Sequence, residues 1–527
     1  MIWHIFKKDA RLLWPLAALV AALHVCAAVP HYLVDHGRGS FQIALMGELL
    51  SALAMLALAV AVVVAMHQDP IPGTRQDWLI RPVRRLDLAL AKLLFIVLMV
   101  QLPVWLVDTG IALVYGFALP AAGVAAAERN AQVFCEFALP AMMIGIITRT
   151  FVEAFILAAI GLVVYMGVFM VGLSLLLGVK ATLGNSGVVW MFSAAFDVFA
   201  LAGAALILTL QYSGRRTTLA RWLVGVGGAL IIGFAWLPWP VAFSLQTALS
   251  AEPGAAHAVA MAFDPQAGRY RLPLGAAPNV TSALYLPLKF TELPADSSVL
   301  LDRADVRISG ADGTTLYQGT SNISVDGQGS MLDAQFEVRA GRAGDPIPAI
   351  FQRIYLPADV YTRLANRQVR LAVDYSLTMF RPAGSYTLPA VGAHQTLAGL
   401  GHCHTSIDAE RDDVGIQCMS TEQQPSCFSG FLQHPATGLR NPESHFCFPK
   451  YDPAVLGNFW PDALSRTRGE FRFFDRSGMI RFPVDGPKLA GATLNITAFV
   501  PRDHFSRHLD TPLVRLADLS GLATEPR

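Results

Sequence analysis

Charged side chains are scarce in this sequence: Asp, Glu, Lys and Arg make up 15% of 527 residues, whereas soluble proteins carry about a quarter. Lysine occurs seven times and is never followed by Ser or Thr, which excludes the Gly-x-x-x-x-Gly-Lys-Ser/Thr loop that binds nucleotide phosphates. A nucleophile elbow and a His-Glu-x-x-His motif are also missing, so the sequence predicts no enzyme, no catalytic residue and no cofactor of its own. The net charge of +1 gives no indication of a nucleic-acid partner.

Apolar residues, by contrast, make up 54% of the chain, and their long runs lie in residues 1–243. A helix of about 20 mostly apolar residues crosses a bilayer. The sequence predicts seven such spans, near 12–33, 43–66, 89–116, 131–148, 154–178, 188–211 and 222–243. Residues 1–243 are therefore expected to form an α-helical transmembrane bundle in contact with membrane lipid.

The distribution of basic residues predicts the orientation of these spans, because short cytoplasmic loops are enriched in Lys and Arg. If the N-terminus is cytoplasmic, the cytoplasmic segments contain twelve basic residues: Lys7, Lys8, Arg11, Arg75, Arg81, Arg84, Arg85, Lys92, Arg149, Arg215, Arg216 and Arg221. The outer loops hold three: Arg38, Arg129 and Lys180. Seven spans then place residues 244–527 outside. The composition, rich in Ala, Leu and Arg, is typical of bacteria, so the predicted location is the inner membrane with a periplasmic C-terminal domain.

The N-terminal segment allows alternatives that the residues leave open. Residues 2–12 are partly apolar and partly basic, and suit either a short helix in the headgroup region or a charged flank of the first span. Lys7 and Lys8 before an apolar run, and Ala27-Ala28 within it, also fit a cleaved signal peptide. The length of the run and the spans that follow it favour a retained first span.

The loop between the second and third predicted spans carries an ordered pattern of polar residues and prolines. Its members are Asp77, Leu79, Pro82, Val83, Arg85, Asp87 and Lys92, with Arg84 as a further positive charge. The order is an acidic residue, then Leu-x-x-Pro-Val-x-Arg-x-Asp, then a Lys that opens the next span. In this pattern residues 1–215 resemble the permease subunits of ATP-binding-cassette transporters of the type-2 exporter class.

The resemblance implies a membrane permease subunit that acts as a homodimer or in a permease pair. It also implies a separate ATPase subunit that carries the ATP and binds the loop. Prolines restrict the loop and its charges offer a docking surface, so closure of the ATPase dimer would move the spans.

Two features depart from that family. Its permeases usually have six spans, whereas a seventh is predicted here and leads into a large external domain. The alternative function is a membrane-anchored sensor or assembly module, whose external domain binds a ligand or protein without transport. A neighbouring gene for a stand-alone ATPase would favour the permease, and its absence would favour the sensor.

Four acidic residues fall within the predicted spans: Glu48, Asp108, Glu136 and Asp197. Carboxylates in a membrane usually face a bundle interior or a wet cavity. Each lies near the outer end of its span, so together they are candidates for an acidic vestibule that favours a cationic or polar substrate. The alternative is that each one bonds a neighbour or reaches the interface, with Arg129 as one possible partner.

Residues 244–527 change to a pattern of short, alternating segments separated by turn signals, which is typical of antiparallel sheets. The predicted strands include 283–290, 306–309, 335–339, 369–376, 470–474, 479–482 and 492–500. Turns are predicted at Asp312-Gly313, Asp326-Gly327 and 475–478, and one helix near 358–366. The expected fold is an all-β domain of one or two sandwiches.

Four of the six cysteines lie in a Cys-rich segment near residues 400–450: Cys403, Cys418, Cys427 and Cys447. An even number outside the membrane predicts two disulfides, and the sequence leaves all three connectivities open. Neighbouring histidines such as His402, His404 and His445 would also suit zinc. Disulfides are favoured over a metal, because an oxidising compartment converts nearby thiols into bridges.

Overall fold

A computed structural model describes the chain in two parts, a helical N-terminal half and a β-rich C-terminal half. The described residues are 1–35, 41–69, 84–114, 119–175, 186–235, 238–270, 283–321, 337–339, 350–408, 413–420, 426–434, 438–440, 444–448, 465–471 and 491–521. The statements below apply to these residues.

The N-terminal half contains ten α-helical segments. They are α1 (Ile2–Asp35), α2 (Phe41–His67), α3 (Arg85–Phe95), α4 (Leu102–Val114), α5 (Leu119–Val133), α6 (Leu139–Ile147), α7 (Phe151–Leu175), α8 (Ser186–Gly214), α9 (Thr217–Ala235) and α10 (Trp239–Ala248). Short π-helical segments, Ile96–Gln101 and Phe134–Ala138, join α3 to α4 and α5 to α6. Each of those two pairs is therefore one continuous helix.

Within the described residues, five helices are long and apolar enough to cross a membrane. They cover Ile2–Pro30, Leu45–His67, Arg85–Val114, Ala122–Ile147 and Ala195–Gly214. The predicted fifth and seventh spans coincide with α7 (25 residues) and α9 (19 residues), whose described apolar stretches include Phe151–Val164 and Thr217–Ile231. Several membrane-compatible helices are thus present, and the number seven stays a prediction.

Two boundaries differ from expectation. Residues 2–12 are the first turns of α1 and not a separate interfacial helix, because Phe6 and Leu13 belong to the bundle core. The predicted seventh span, 222–243, overlaps two helices: α9 is described to Ala235 and α10 starts at Trp239. Pro238 at the N-cap and Pro240 in the first turn favour a helix start there.

The described residues of the C-terminal half form sixteen strands. They are β1 (Ala260–Phe263), β2 (Ala283–Thr291), β3 (Ser298–Gly310), β4 (Thr315–Ser321), β5 (Glu337–Arg339), β6 (Ile350–Tyr355), β7 (Gln368–Pro389), β8 (His394–Leu397), β9 (Gly401–Asp408), β10 (Asp413–Ser420), β11 (Ser426–His434), β12 (Leu439–Arg440), β13 (Ser444–Phe448), β14 (Ser465–Phe471), β15 (Thr493–Asp510) and β16 (Val514–Arg515). The predicted helix is present as α11 (Ala358–Leu364).

These strands form three antiparallel sheets around two cores. A nine-stranded sheet has the central order β12-β11-β15-β7-β3-β4, and β7 pairs with β15 almost along their full lengths. One end of this sheet packs on the sheet β1-β2-β6, and Leu286, Val306 and Val373 are buried in the first core between them. Its other end shares a second core with the sheet β14-β10-β9-β8, in which Ile416 and Ile496 are buried.

Irregular positions along the long strands mark the change from one core to the other. Register shifts occur in β15 between Ala498 and Phe499 and between Pro501 and Asp503. Bulges bend a strand and increase its twist, so one pair of strands can serve both cores. The predicted turn at Asp312-Gly313 joins β3 to β4, with Gly313 at a φ of 82°. The predicted turns at 326–327 and 475–478 and the strand at 479–482 lie outside the described residues.

Candidate functional site

A cluster of four charged residues, buried at its centre, joins three helices at one end of the bundle. The Lys92 ammonium group on α3 lies 2.7 Å from an oxygen of Asp9 on α1 and 2.9 Å from an oxygen of Asp69, which follows α2. Lys8 lies 3.0 Å from the same oxygen of Asp69. The Lys92 and Asp9 side chains are 1% and 0% exposed, so this loop-base cluster (Lys8, Asp9, Asp69 and Lys92) is shielded from solvent at its centre.

Helical periodicity explains why these charges meet. Asp9 lies on the face of α1 that also buries Phe6 and Leu13, and Lys92 lies on the face of α3 that buries Leu88 and Phe95. A charge on a buried face is costly unless it is paired, and the two opposite charges satisfy each other. The loop pattern in the sequence includes Lys92 but not Asp9. A lone acid on the apolar stripe of α1 is the signal that could have found it.

The cluster holds both ends of the predicted ATPase-binding loop. Residues 70–83 connect Asp69 to Arg84, and Lys92 lies two turns into the helix that follows. The side chains of Asp77, Leu79 and Pro82 lie outside the described residues. Burial by itself raises the pKa of Asp69, but Lys92 and Lys8 lower it more, and the net pKa lies below its ordinary value. Asp69 is therefore held as an anion beside the loop.

The other predicted loop residues lie at the start of α3. Arg85 donates hydrogen bonds to the carbonyl oxygens of Ser213 (2.9 Å) and Tyr212 (3.4 Å) at the end of α8. Cations stabilise helix C-termini, so Arg85 positions α8 and is engaged within the chain. Arg84 is exposed and Asp87 is half-exposed, so these two remain accessible beside the loop.

A second ionic contact connects α6, α7 and α9. Arg221 on α9 lies 2.5 Å from a Glu153 oxygen on α7 and donates to the Ile147 carbonyl at the end of α6. Sequence spacing predicts a pair between the side chains of Arg149 and Glu153. The structure differs, because Glu153 accepts a hydrogen bond from the Arg149 backbone N–H (2.7 Å) while its charge pairs with Arg221.

The structure describes the surroundings of three of the four acids in the predicted spans. Asp108 on α4 pairs with Arg129 on α5 at 2.9 Å, and Glu136 accepts a hydrogen bond from Gln132. Asp197 on α8 is half-buried and interacts electrostatically with Glu136. The Glu48 side chain on α2 lies outside the described residues. The acidic vestibule stays a prediction, and Asp108 is neutralised by Arg129.

The cysteines of the β-domain lie on paired strands in matching register. Cys403 on β9 and Cys418 on β10 are register partners and form a disulfide. Cys427 on β11 is also disulfide-bonded and stands in register with Cys447 on β13. Since Cys403 is in a bridge, its sulfur is not a free thiolate for zinc. An oxidising compartment is consistent with these bridges.

Helix α10 connects the bundle to the β-domain through side chains. The indole N–H of Trp239 donates to the Ser376 hydroxyl on β7 at 3.0 Å, and the Arg303 guanidinium lies 5.4 Å from the Trp239 ring. Ser250 lies 3.0 Å from Nδ1 of His504 on β15, and both residues are buried. Burial lowers the pKa of His504 to about 4, so the imidazole is neutral at pH 7.

Comparison with known proteins adds no further constraint. No protein-family model matches this chain, and no curated protein matches it. The arrangement of its own residues must therefore support any functional conclusion.

Proposed function

We propose that this chain is the permease subunit of an ABC exporter-type complex, energised by a separate ATPase subunit that docks on the loop 68–92. The observation that supports this most is the loop-base cluster. It joins α1, α2 and α3 where the loop leaves and re-enters the bundle, through the buried contact between Lys92 and Asp9. The loop's Asp-Leu-Pro-Arg-Asp-Lys order supplies the resemblance to such permeases.

The cluster would make the three helices move together when the loop is pushed. Separating a buried ion pair leaves charges without partners and costs about 3–5 kcal/mol. A force on either end of the loop therefore moves α1, α2 and α3 as a unit before it breaks the cluster. Arg85 extends this coupling to α8, and the Arg221–Glu153 pair connects α9 to α7.

The α10 junction would carry such a movement to the external domain. The backbone N–H of Glu252 donates to the Arg502 carbonyl at 2.8 Å, and Arg507 donates to the carbonyls of Ala256 and Val259 at 2.6 Å each. These bonds attach residues 250–259 to β15, which runs through both cores of the β-domain. The β-domain would then gate the complex, capture a substrate or dock a partner.

Recovery of partners from native membranes tests the proposal. The full chain, extracted in mild detergent and pulled down, is expected to bring an ATPase that mass spectrometry identifies. Arg84→Glu with Asp87→Lys should abolish recovery, because both side chains belong to the loop and are accessible. Arg216→Glu is the matched control: it changes an exposed arginine outside the loop and should leave recovery unchanged.

The result also separates the permease from the second candidate. A chain that brings no ATPase from native membranes contradicts the permease proposal and leaves the sensor or assembly module. An ATPase that persists with the Arg84 and Asp87 variants would show that docking uses another surface.

A further inference from the structure

Five polar side chains from three parts of the bundle gather at a site distinct from the loop-base cluster. This bundle polar site consists of His24 on α1, Gln101 and Asp108 on the α3–α4 helix, and Arg129 and Asn130 on α5. Arg129 pairs with Asp108, and the side-chain amide of Asn130 donates to the backbone carbonyl of Gln101 at 3.1 Å. His24 interacts electrostatically with Asp108 and Arg129. Gln101, Asp108 and His24 are 3%, 1% and 7% exposed.

The site carries an unusual number of unsatisfied polar atoms. Six buried atoms of these five side chains have no hydrogen-bond partner among the described residues: His24 Nε2, Gln101 Oε1 and Nε2, Asp108 Oδ2, Arg129 Nε and Asn130 Oδ1. Each unsatisfied buried group costs about 1–3 kcal/mol. Such a concentration in one place is explained if another molecule supplies the missing partners.

Charge restricts what that molecule can be. The Asp108 carboxylate is balanced by Arg129, and His24 donates its Nδ1 hydrogen to the Val20 carbonyl at 2.9 Å, so in the neutral imidazole Nε2 is an acceptor. The site is therefore electrically neutral. A ligand with a net charge would bring an unbalanced charge into a low-dielectric interior, so a neutral ligand is favoured.

The unsatisfied atoms also restrict its hydrogen bonding. Four of them are acceptors, on His24, Gln101, Asp108 and Asn130, whereas only Gln101 and Arg129 offer donors. The side-chain NH2 of Asn130 donates to the backbone carbonyl of Gln101, which orients the amide and leaves Asn130 Oδ1 as the unsatisfied atom. A ligand rich in donors that can also accept fits this set, and hydroxyl groups have both properties.

We propose that the bundle polar site binds the hydroxyl groups of a neutral polyol, such as a sugar ring or the hydroxylated headgroup of a lipid. Arg129 is 21% exposed, so its side of the site is the one that faces outward and would admit the ligand. The proposal deepens the proposed function by naming a substrate class and rests on it for transport. Binding itself requires no ATPase, so the two can fail separately.

The test measures binding to the purified full chain in a detergent without sugar groups. Saturation-transfer NMR with methyl β-glucoside probes a free sugar, and co-sedimentation with vesicles that contain glucosyl-diacylglycerol probes a headgroup. The wild type is expected to bind at least one of them. Gln101→Leu and Asn130→Leu should each weaken binding by roughly tenfold, the equivalent of one or two hydrogen bonds.

Controls keep the outcome decisive. Gln132→Leu removes an amide on the same helix that bonds Glu136 outside the site, so it should bind as the wild type does. Unchanged unfolding midpoints exclude misfolding as the cause of a loss. No binding of either probe by the wild type would overturn the proposal and leave internal water as the occupant. Equal binding by the Gln101→Leu protein would overturn it too.

Discussion

Individual charged residues in this chain lie where the hydrophobic pattern would place apolar ones. Asp9 and Lys92 each occupy the buried face of a helix, and each compensates the other across 2.7 Å. Asp302 in the β-domain is another such residue: it is 6% exposed and accepts a hydrogen bond from the Thr378 hydroxyl at 2.6 Å. Substituting such a residue should lower the free energy of unfolding strongly, because its buried polar partner loses a hydrogen bond that water cannot easily replace.

Replacing Lys92 by Met should leave the Asp9 and Asp69 carboxylates without their shared cation. We expect the free energy of unfolding in detergent to fall by about 3–5 kcal/mol, as for other buried pairs that lose one partner. The matched control is Lys7→Met, since Lys7 is exposed and contacts only the Trp3 ring in the described structure. A double variant, Lys92→Met with Asp9→Leu, should recover part of the loss. Equal effects of Lys92→Met and Lys7→Met would contradict the role of the cluster.

The carboxyl group of Asp302 should make stability depend on pH in an unusual direction. Burial raises its pKa to about 7, although the Thr378 hydrogen bond lowers it somewhat. An unfolded Asp ionises near pH 4, so between pH 4 and 7 the folded state holds the proton more tightly, and stability from this group is lost as pH rises.

Asp302→Asn should remove that dependence. Relative to the wild type, the variant should gain stability from pH 4.5 to 7.5, by roughly 4 kcal/mol at most. Denaturant unfolding of the full chain at both pH values measures the difference. Asp296→Asn, an exposed turn position, is the control and should follow the wild type at both values. A wild-type-like profile for Asp302→Asn would show that the group is not protonated in the fold.

At the scale of helices and strands, periodicity predicts the type of each element better than its ends. The five membrane-compatible helices and α11 lie where the sequence predicts helices, and β2 matches its predicted strand 283–290 closely. The segments 369–376 and 492–500, however, belong to strands of 22 and 18 residues. Their lengths depend on pairing with each other, which no local pattern encodes.

The disulfides are a feature of paired strands, and their connectivity follows from register. Peptide mapping without reductant should show Cys403 linked to Cys418 and Cys427 linked to Cys447, with Cys26 and Cys135 free. Replacing Cys403 and Cys418 together by Ala should lower stability by about 3 kcal/mol, given a sequence separation of 15. A Cys403–Cys427 peptide, or four free thiols in the external domain, would contradict the observed pairing.

For the whole molecule, the proposed function requires the loop-base cluster and the β-domain to lie on opposite sides of a membrane. The charge distribution predicts that the loop-base cluster is cytoplasmic and that the β-domain is periplasmic. The disulfides agree with an oxidising compartment for the β-domain. Helix α10 would then lie at the outer surface, between the bundle and the strand β15.

Cysteine labelling in spheroplasts tests this orientation. A membrane-impermeant maleimide should label Asp312→Cys, in the exposed β3–β4 turn, in intact spheroplasts. Arg216→Cys, exposed between α8 and α9, should react only after permeabilisation. Both variants should carry Cys26→Ser and Cys135→Ser to remove the free thiols. The reverse pattern of labelling would invert the predicted topology.

The sequence by itself determined that the chain has an apolar helical half and a β-rich half, because hydrophobic length and period are local properties. It also identified the segment whose cysteines bridge and the loop whose ends prove to be ion-paired. Only the tertiary structure decided which charges pair and which cysteines bridge. Lys92 pairs with Asp9, 83 residues away, and Asp108 pairs with Arg129, while Cys403 bridges to Cys418. The packing of helices and strands determines which distant residues lie within contact distance. A buried charge or thiol can pair only with a group that packing brings next to it.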